Sequence, residues 1–407
     1  MKSSVLKLLP YLFSLSLFLP SCAQDDQTPL LTRSNPVPTT RTAQHPTIST
    51  PNWGLPYEVG NRFRMDNLEV FFLTGNPENQ ESYVTLDQAM EKEYVKVKET
   101  GQVNQLQINN LSDHYIFIHS GDIVKGGKQD RTLSKDVIIP PHARKVNLAS
   151  FCVESARWTN RGEEAVTHFQ SNNCMLSSRD LKVSSKYRQD QGKVWEKVSE
   201  GMNEINNGLA VKYGYYSVNV SDSASATSLQ LALENDTLNK VREEMIQYFT
   251  DRLMESEQVV GFGYAINGEV YEINTYNNQQ LFQDLWPKLI ASAVTESISD
   301  FDIMDSLQTE KMLSLNQLDS LQWISPTDPE KVNDITRLET QTSGDEAVLL
   351  FTTSDNRFAD QWLHQNLLCR SEEEMKSISH GGPAFQNSNA PIDSIQWNDF
   401  PSMRQSR

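Results

Sequence analysis

Four cysteines in 407 residues are too few for a scaffold built on disulfides. No apolar run reaches the roughly 18 residues that a membrane-spanning helix needs. Positive charge is also scarce. The 36 Lys and Arg stand against 53 Asp and Glu, and the resulting net charge of −17 repels phosphate backbones, which argues against a nucleic-acid partner. The sequence holds no Gly-x-Ser-x-Gly elbow, no His-Glu-x-x-His helix and no Cys-x-x-Cys pair, so the common hydrolase, zincin and thiol-redox signatures are missing. None of His114, His119, His142, His168, His364 or His380 has a neighbour at metal-ligand spacing. No metal and no cofactor is therefore expected. Asp300-Phe-Asp302-Ile-Met-Asp305 lacks the glycine and the distal glutamate of a calcium loop, and it reads as a solvated helix start.

What is present describes an address first. Lys2 and Lys7 precede an apolar run, Leu8 to Pro20, of signal-peptide length. The run ends Leu19-Pro20-Ser21-Cys22, which resembles a bacterial lipobox. The expectation is a leader over 1–21, acylation of Cys22 and attachment to the lipid bilayer. Ala23 and the acidic Gln24-Asp25-Asp26 favour the outer membrane, with surface exposure as an option. Residues 22–51 are rich in Thr, Pro and Ser and cannot bury enough apolar surface to fold, so they read as a tether. Residues 371–407, with Glu372, Glu373 and Glu374 and many Ser, Asn and Gln, read as a flexible tail. One folded unit is left between them, over 52–370.

The expected fold class is α+β. Over 52–185 apolar residues alternate with polar ones (Leu68, Val70 and Phe72; Leu106 and Ile108; Ile116 and Ile118; Val146 and Leu148), which predicts an antiparallel, sandwich-like sheet. Asn109 to Asp113 has hairpin-loop chemistry, and Pro140-Pro141 ends the strand Val137 to Ile139. Leu86 to Glu93 reads as a short helix. Over 186–370 the period lengthens. Helices are predicted near 192–206, from an Asp236 cap through Leu253, and along the Leu281 to Ile290 stripe, where Pro287 should kink the helix or mark its first turn. Asn267-Gly268 predicts a type I′ hairpin, and Ala347 to Thr353 a late strand before an amphipathic Phe358 to Leu363 segment.

Two blocks stand out, Ser120-Gly-Asp-Ile-Val-Lys-Gly-Gly-Lys-Gln-Asp-Arg-Thr132 and Phe151-Cys-Val-Glu-Ser-Ala-Arg-Trp158. Together they resemble the ARG and rhodanese-phosphatase-superfamily-associated protein family, with coverage of about residues 60 to 370. The hairpin ending at Gly268 and the Leu281 to Leu289 stripe fall where that family has a strand pair and a Trp-bearing helix. The resemblance implies association with ADP-ribosylglycohydrolase and phosphatase relatives, and it carries over no catalytic residue.

Within the blocks, Lys125, Lys128 and Arg131 surround Gly126-Gly127, whose backbone amides can approach an anion closely. With Arg157 and Trp158 they form the candidate site for a phosphate, ADP-ribose-like or other anionic ligand. The alternative is a structural network in which Asp130 and Glu154 neutralise the cations. Trp158 is either a stacking platform or a core residue. Three functions remain open: a non-enzymatic domain binding a small anion or an envelope protein; a hydrolase of phosphorylated or ADP-ribosyl compounds with Asp130 or Glu154 as acid/base; or the scaffold of a surface complex. Export also permits a Cys152–Cys174 disulfide with Cys369 left over, against buried free thiols.

Overall fold

The computed structural model describes residues 57–379 apart from 165, 166, 173, 302–320, 325, 326, 359 and 360. The expected leader, Cys22, the tether, the tail beyond Ser379 and most of the Asp300 to Asp305 stretch lie outside the described residues. The fold is α+β.

The chain begins with β1 (Glu58–Met65), β2 (Leu68–Thr74), β3 (Tyr83–Thr85), α1 (Leu86–Glu91), β4 (Val95–Gln102) and β5 (Gln105–Asn110). Short strands follow: β6 (Tyr115–Ile118), β7 (Ile123–Gly126), β8 (Arg131–Leu133), β9 (Val137–Ile139), β10 (Val146–Cys152) and β11 (Phe169–Gln170). Then come α2 (Arg179–Val183), which runs into a π turn (Ser184–Arg188), α3 (Gln191–Tyr213), α4 (Leu229–Leu233) and α5 (Asp236–Met254). The last part holds β12 (Val259–Ile266), β13 (Glu269–Tyr276), α6 (Gln279–Ser299), β14 (Glu330–Lys331), β15 (Thr336–Thr342), β16 (Val348–Asp355), β17 (Trp362–Cys369) and α7 (Glu372–Ser379).

The predicted hairpin forms as expected. Asn267 and Gly268 take φ of 51° and 82°, the positive pair that a type I′ turn requires. The strands of the first half separate, however. β1 and β2 leave their sequence neighbours and join an antiparallel sheet in the order β1-β2-β12-β13-β17-β16-β15-β14. The others form a six-stranded sheet, β11-β7-β8-β10-β5-β4, and a three-stranded sheet, β3-β6-β9, whose β3 and β6 are parallel. Alternation shows which face of a strand is buried but not which strand lies beside it, so this division is invisible in the sequence. For the same reason Asn109 to Asp113 links two different sheets and makes no hairpin.

Helices α3, α5 and α6 pack together over one face of the large sheet, around a core that includes Phe262, Phe282, Trp286, Ile290, Met202 and Phe249. Each such side chain contributes about 1.5–3 kcal/mol of burial. α3 begins at Asp190, whose carboxylate accepts from Lys193 N at 3.1 Å, and ends at Gly214 with φ of 74°. The cap of α5 is Asn235 rather than Asp236: its Oδ1 accepts from Thr237 N at 3.0 Å and Leu238 N at 3.2 Å. Pro287 lies inside α6, beyond its first turn. The expected loose tail starts with a helix, because Glu374 of α7 meets Arg188 at 2.7 Å and Glu373 meets Lys197 at 3.0 Å. Trp362–Cys369 is a full strand where the sequence showed only an amphipathic segment.

Candidate functional site

Strands β7 and β8 pair as a hairpin, with Ile123 opposite Thr132 and Val124 opposite Arg131. Their connection carries the double glycine, with φ of 110° at Gly126 and 57° at Gly127. The loop does cradle anions, and the chain supplies them itself. Gly126 N donates to Asp130 Oδ1 at 2.8 Å, and Asp130 N donates to Glu154 Oε2 at 3.0 Å. Two of the amides that could hold a phosphate, those of Gly126 and Asp130, are thus bound to internal carboxylates.

The cations are engaged in the same way. Arg157 grips Glu154 with Nε and Nη2, both at 2.7 Å, and donates Nη1 to the Gly127 carbonyl at 2.9 Å. Arg161, which the sequence reading passed over, meets Asp130 at 2.8 and 3.0 Å and Glu164 at 3.0 Å. Ser228, the cap of α4, donates to Asp130 at 2.6 Å, and Ser225 donates to Glu154. Lys125 pairs with Glu234 at 2.6 Å. Arg131 is fully buried, where it contacts Glu99 at 3.4 Å, the Val103 carbonyl at 3.0 Å and the Cys152 sulfur. Asp130 and Glu154 are 0% exposed, and their carboxylate oxygens accept from Gly126 N, Arg161, Asp130 N and Arg157.

Trp158, 37% exposed, is no core residue. The Lys128 ammonium lies 4.8 Å from its ring centre and the Arg131 guanidinium 5.6 Å. The structure therefore brings the predicted residues together, and most of them form a closed ion network. Lys128 and Trp158 make its outer rim. Cys152, Cys174 and Cys369 are all free thiols, and burial pushes the Cys152 thiol up to about 12, which makes it inert at neutral pH.

A second polar centre lies deeper, between the large sheet and α2. On β13, Glu272, Asn274 and Tyr276 share one face, and on β17 so do His364 and Asn366. The α2 segment and its π turn place Lys182 and Lys186 over them. Lys182 Nζ meets Glu272 at 2.6 Å and the Tyr264 hydroxyl at 3.2 Å, and that hydroxyl donates to Glu296 at 2.6 Å. Burial raises the Glu272 carboxyl, but Lys182, with help from Lys186 and Asn274, overrides it and leaves the group at about 2. Lys186 donates to Asn366 Oδ1 at 2.8 Å, and burial holds its ammonium below the ordinary lysine range.

The network continues to His364, whose Nε2 lies 3.1 Å from Asn274 Oδ1 and whose Nδ1 lies 2.6 Å from Asp136 Oδ2. Asp136 also accepts from Ser120 N and Thr353 Oγ1, each at 2.7 Å. His119 completes it, with Nδ1 2.7 Å from the Ser120 carbonyl and Nε2 2.9 Å from the Tyr276 hydroxyl. Burial, then the neighbouring His364, lowers His119 to about 3, so its ring is neutral near pH 7. Sequence reasoning missed this centre. Its signal was alternating polar residues on β13 and β17, which read equally well as a solvent face.

Residues 56–368 match the model of the ARG and Rhodanese-Phosphatase-superfamily-associated Protein domain. No curated protein and no solved structure matches the chain. With most of its length covered by that one match, including the glycine loop, the hairpin and both polar centres, the chain belongs to the ARG and Rhodanese-Phosphatase-superfamily-associated Protein domain family.

Proposed function

We propose that the chain is a non-enzymatic binding module, held at the cell envelope by lipid on Cys22, that engages an associated protein. The observation that carries this reading is the internal neutralisation of the glycine loop. Asp130 and Glu154, the two alternatives for a hydrolase's acid/base, are buried beneath Arg161 and Arg157. The family description points the same way, since it names association rather than a reaction. The contact surface in this reading is the rim made by Lys128 and Trp158. An aromatic ring beside a cation suits a protein surface, because it combines apolar area with charge at low entropic cost.

Three measurements test it. A photo-crosslinking amino acid at Trp158 in cells should give one discrete adduct, and a Lys128→Glu change should weaken it; no adduct would remove the partner reading. Labelled palmitate should enter the wild type and not Cys22→Ala, and equal labelling of both would remove the anchor. Turnover of phosphate or ADP-ribosyl esters that disappears in Glu154→Gln would establish the hydrolase instead.

A further inference from the structure

His119 directly follows β6, Asp136 directly precedes β9 and His364 lies on β17. One ligand atom from each lies within 4.8 Å of the others, and the three side chains are 2%, 1% and 1% exposed. Sequence spacing links none of them; the fold alone brings them together.

The surrounding hydrogen bonds decide which atoms are available. On each imidazole one nitrogen faces a carbonyl oxygen: Nδ1 of His119 faces Ser120 O, and Nε2 of His364 faces Asn274 Oδ1. The Asn274 atom must be oxygen. Lys186 fixes Asn366 Oδ1 by donating to it, which turns Asn366 Nδ2 toward Glu272 at 2.6 Å and Asn274 at 3.0 Å, and that amide needs an acceptor there. His119 Nε2 and His364 Nδ1 are left as the inner pair beside Asp136. Asp136 is itself oriented by Ser120 N and Thr353 Oγ1. Metal-ligating histidines usually donate their other N–H to a carbonyl or carboxylate, and ligating carboxylates are hydrogen-bonded in turn. Every member of this set has that outer support.

We propose that His119, Asp136 and His364 bind one divalent first-row transition metal ion, with zinc the best fit to two imidazoles and a carboxylate. The ion takes the place of the hydrogen bond between His364 Nδ1 and Asp136 Oδ2, and the proton of that bond leaves to solvent. The Tyr276 hydroxyl, 2.9 Å from His119 Nε2, is next in line as a fourth ligand. Donor atoms around zinc sit about 3.3 Å apart, so donors that lie within 4.8 Å of one another need only a small adjustment to close on an ion. The burial of all three ligands makes the site structural, a rivet between the β3-β6-β9 sheet and the large sheet. The inference is independent of the partner-binding reading.

The test uses the full chain, purified from zinc-replete cells and dialysed. Elemental analysis should find about one zinc per chain. Refolding with Co²⁺ should give visible absorption bands of nitrogen and oxygen ligation. His364→Gln and Asp136→Asn should each lower zinc content at least tenfold. Zinc retained equally by the wild type and both variants would place the ion elsewhere and overturn the proposal. Where the variants do not fold, the wild type decides: no zinc as purified, and no cobalt bands or change in melting temperature after refolding with either metal, also overturns it.

Discussion

Arg161 clasps Asp130 through Nη1 and Nη2, at 2.8 and 3.0 Å, with Asp130 0% and Arg161 6% exposed. The same carboxylate accepts from Gly126 N, so one ion pair both closes the glycine loop and ties it to the segment after β10. Removing one member of a buried pair leaves the other uncompensated. Arg161→Ala should therefore cost about 3–5 kcal/mol in urea unfolding. Lys128→Ala, which removes a cation from a partly exposed ring, should cost at most about 1 kcal/mol. Similar losses for the two would contradict the division between network and rim.

If Asp130 is the anion that the loop holds, deleting its side chain opens the loop to an external one. Asp130→Ala should melt lower than wild type and recover part of the loss in added phosphate or sulfate, with little anion effect on wild type beyond general salt stabilisation. A mutant with no specific recovery would show that the amides and Arg161 do not form an anion cradle without Asp130.

Glu272 is held at about 2 against an ordinary value of 4.5. A depressed carboxyl contributes stability above its unfolded value and loses it as pH falls toward the folded value. The Lys182–Glu272 pair should thus contribute fully above about pH 4.5 and fade toward pH 2, an effect on the order of 3 kcal/mol. Denaturant midpoints for wild type and Glu272→Gln should differ most near neutral pH and converge in acid. A gap that widens in acid would reverse the sign and disprove the pairing.

Gly208 lies on the face of α3 that crosses α6, and a Cβ there would land on the carbonyl oxygen of Ile298. That atom belongs to helix backbone and cannot step aside, so Gly208→Ala should push the two helices apart and cost about 2 kcal/mol or more. Gly201→Ala, where the added carbon meets nothing within 4 Å, should stabilise by up to about 1 kcal/mol. Equal melting temperatures for the two variants would show that the helices do not cross at Gly208.

Local chemistry was legible wherever a residue acts on its own neighbours. Asn267-Gly268 formed the turn its φ preferences demand, Pro140 ended β9, and the stripes of α5 and α6 became buried faces. The Lys125 to Arg131 loop was also recognisable as an anion cradle. Its occupant was not, because Glu154 reaches it from just past the end of β10 and Arg161 from further along the same connection.

The sequence by itself determined the α+β class, the helical and strand faces, the family and the glycine loop, since each depends on periodicity, dihedral preference or contiguous residue identity. Only the tertiary structure decided that β2, already paired with β1, takes β12 rather than β3 on its other side, that Glu154 and Asp130 are held by Arg157 and Arg161, and that His119, Asp136 and His364 meet. The physical reason is range. Alternation fixes which side of a strand is covered, whereas what covers it is set by the packing of segments far apart in the chain, as when α2 turns the polar face of β13 and β17 from apparent surface into a buried centre.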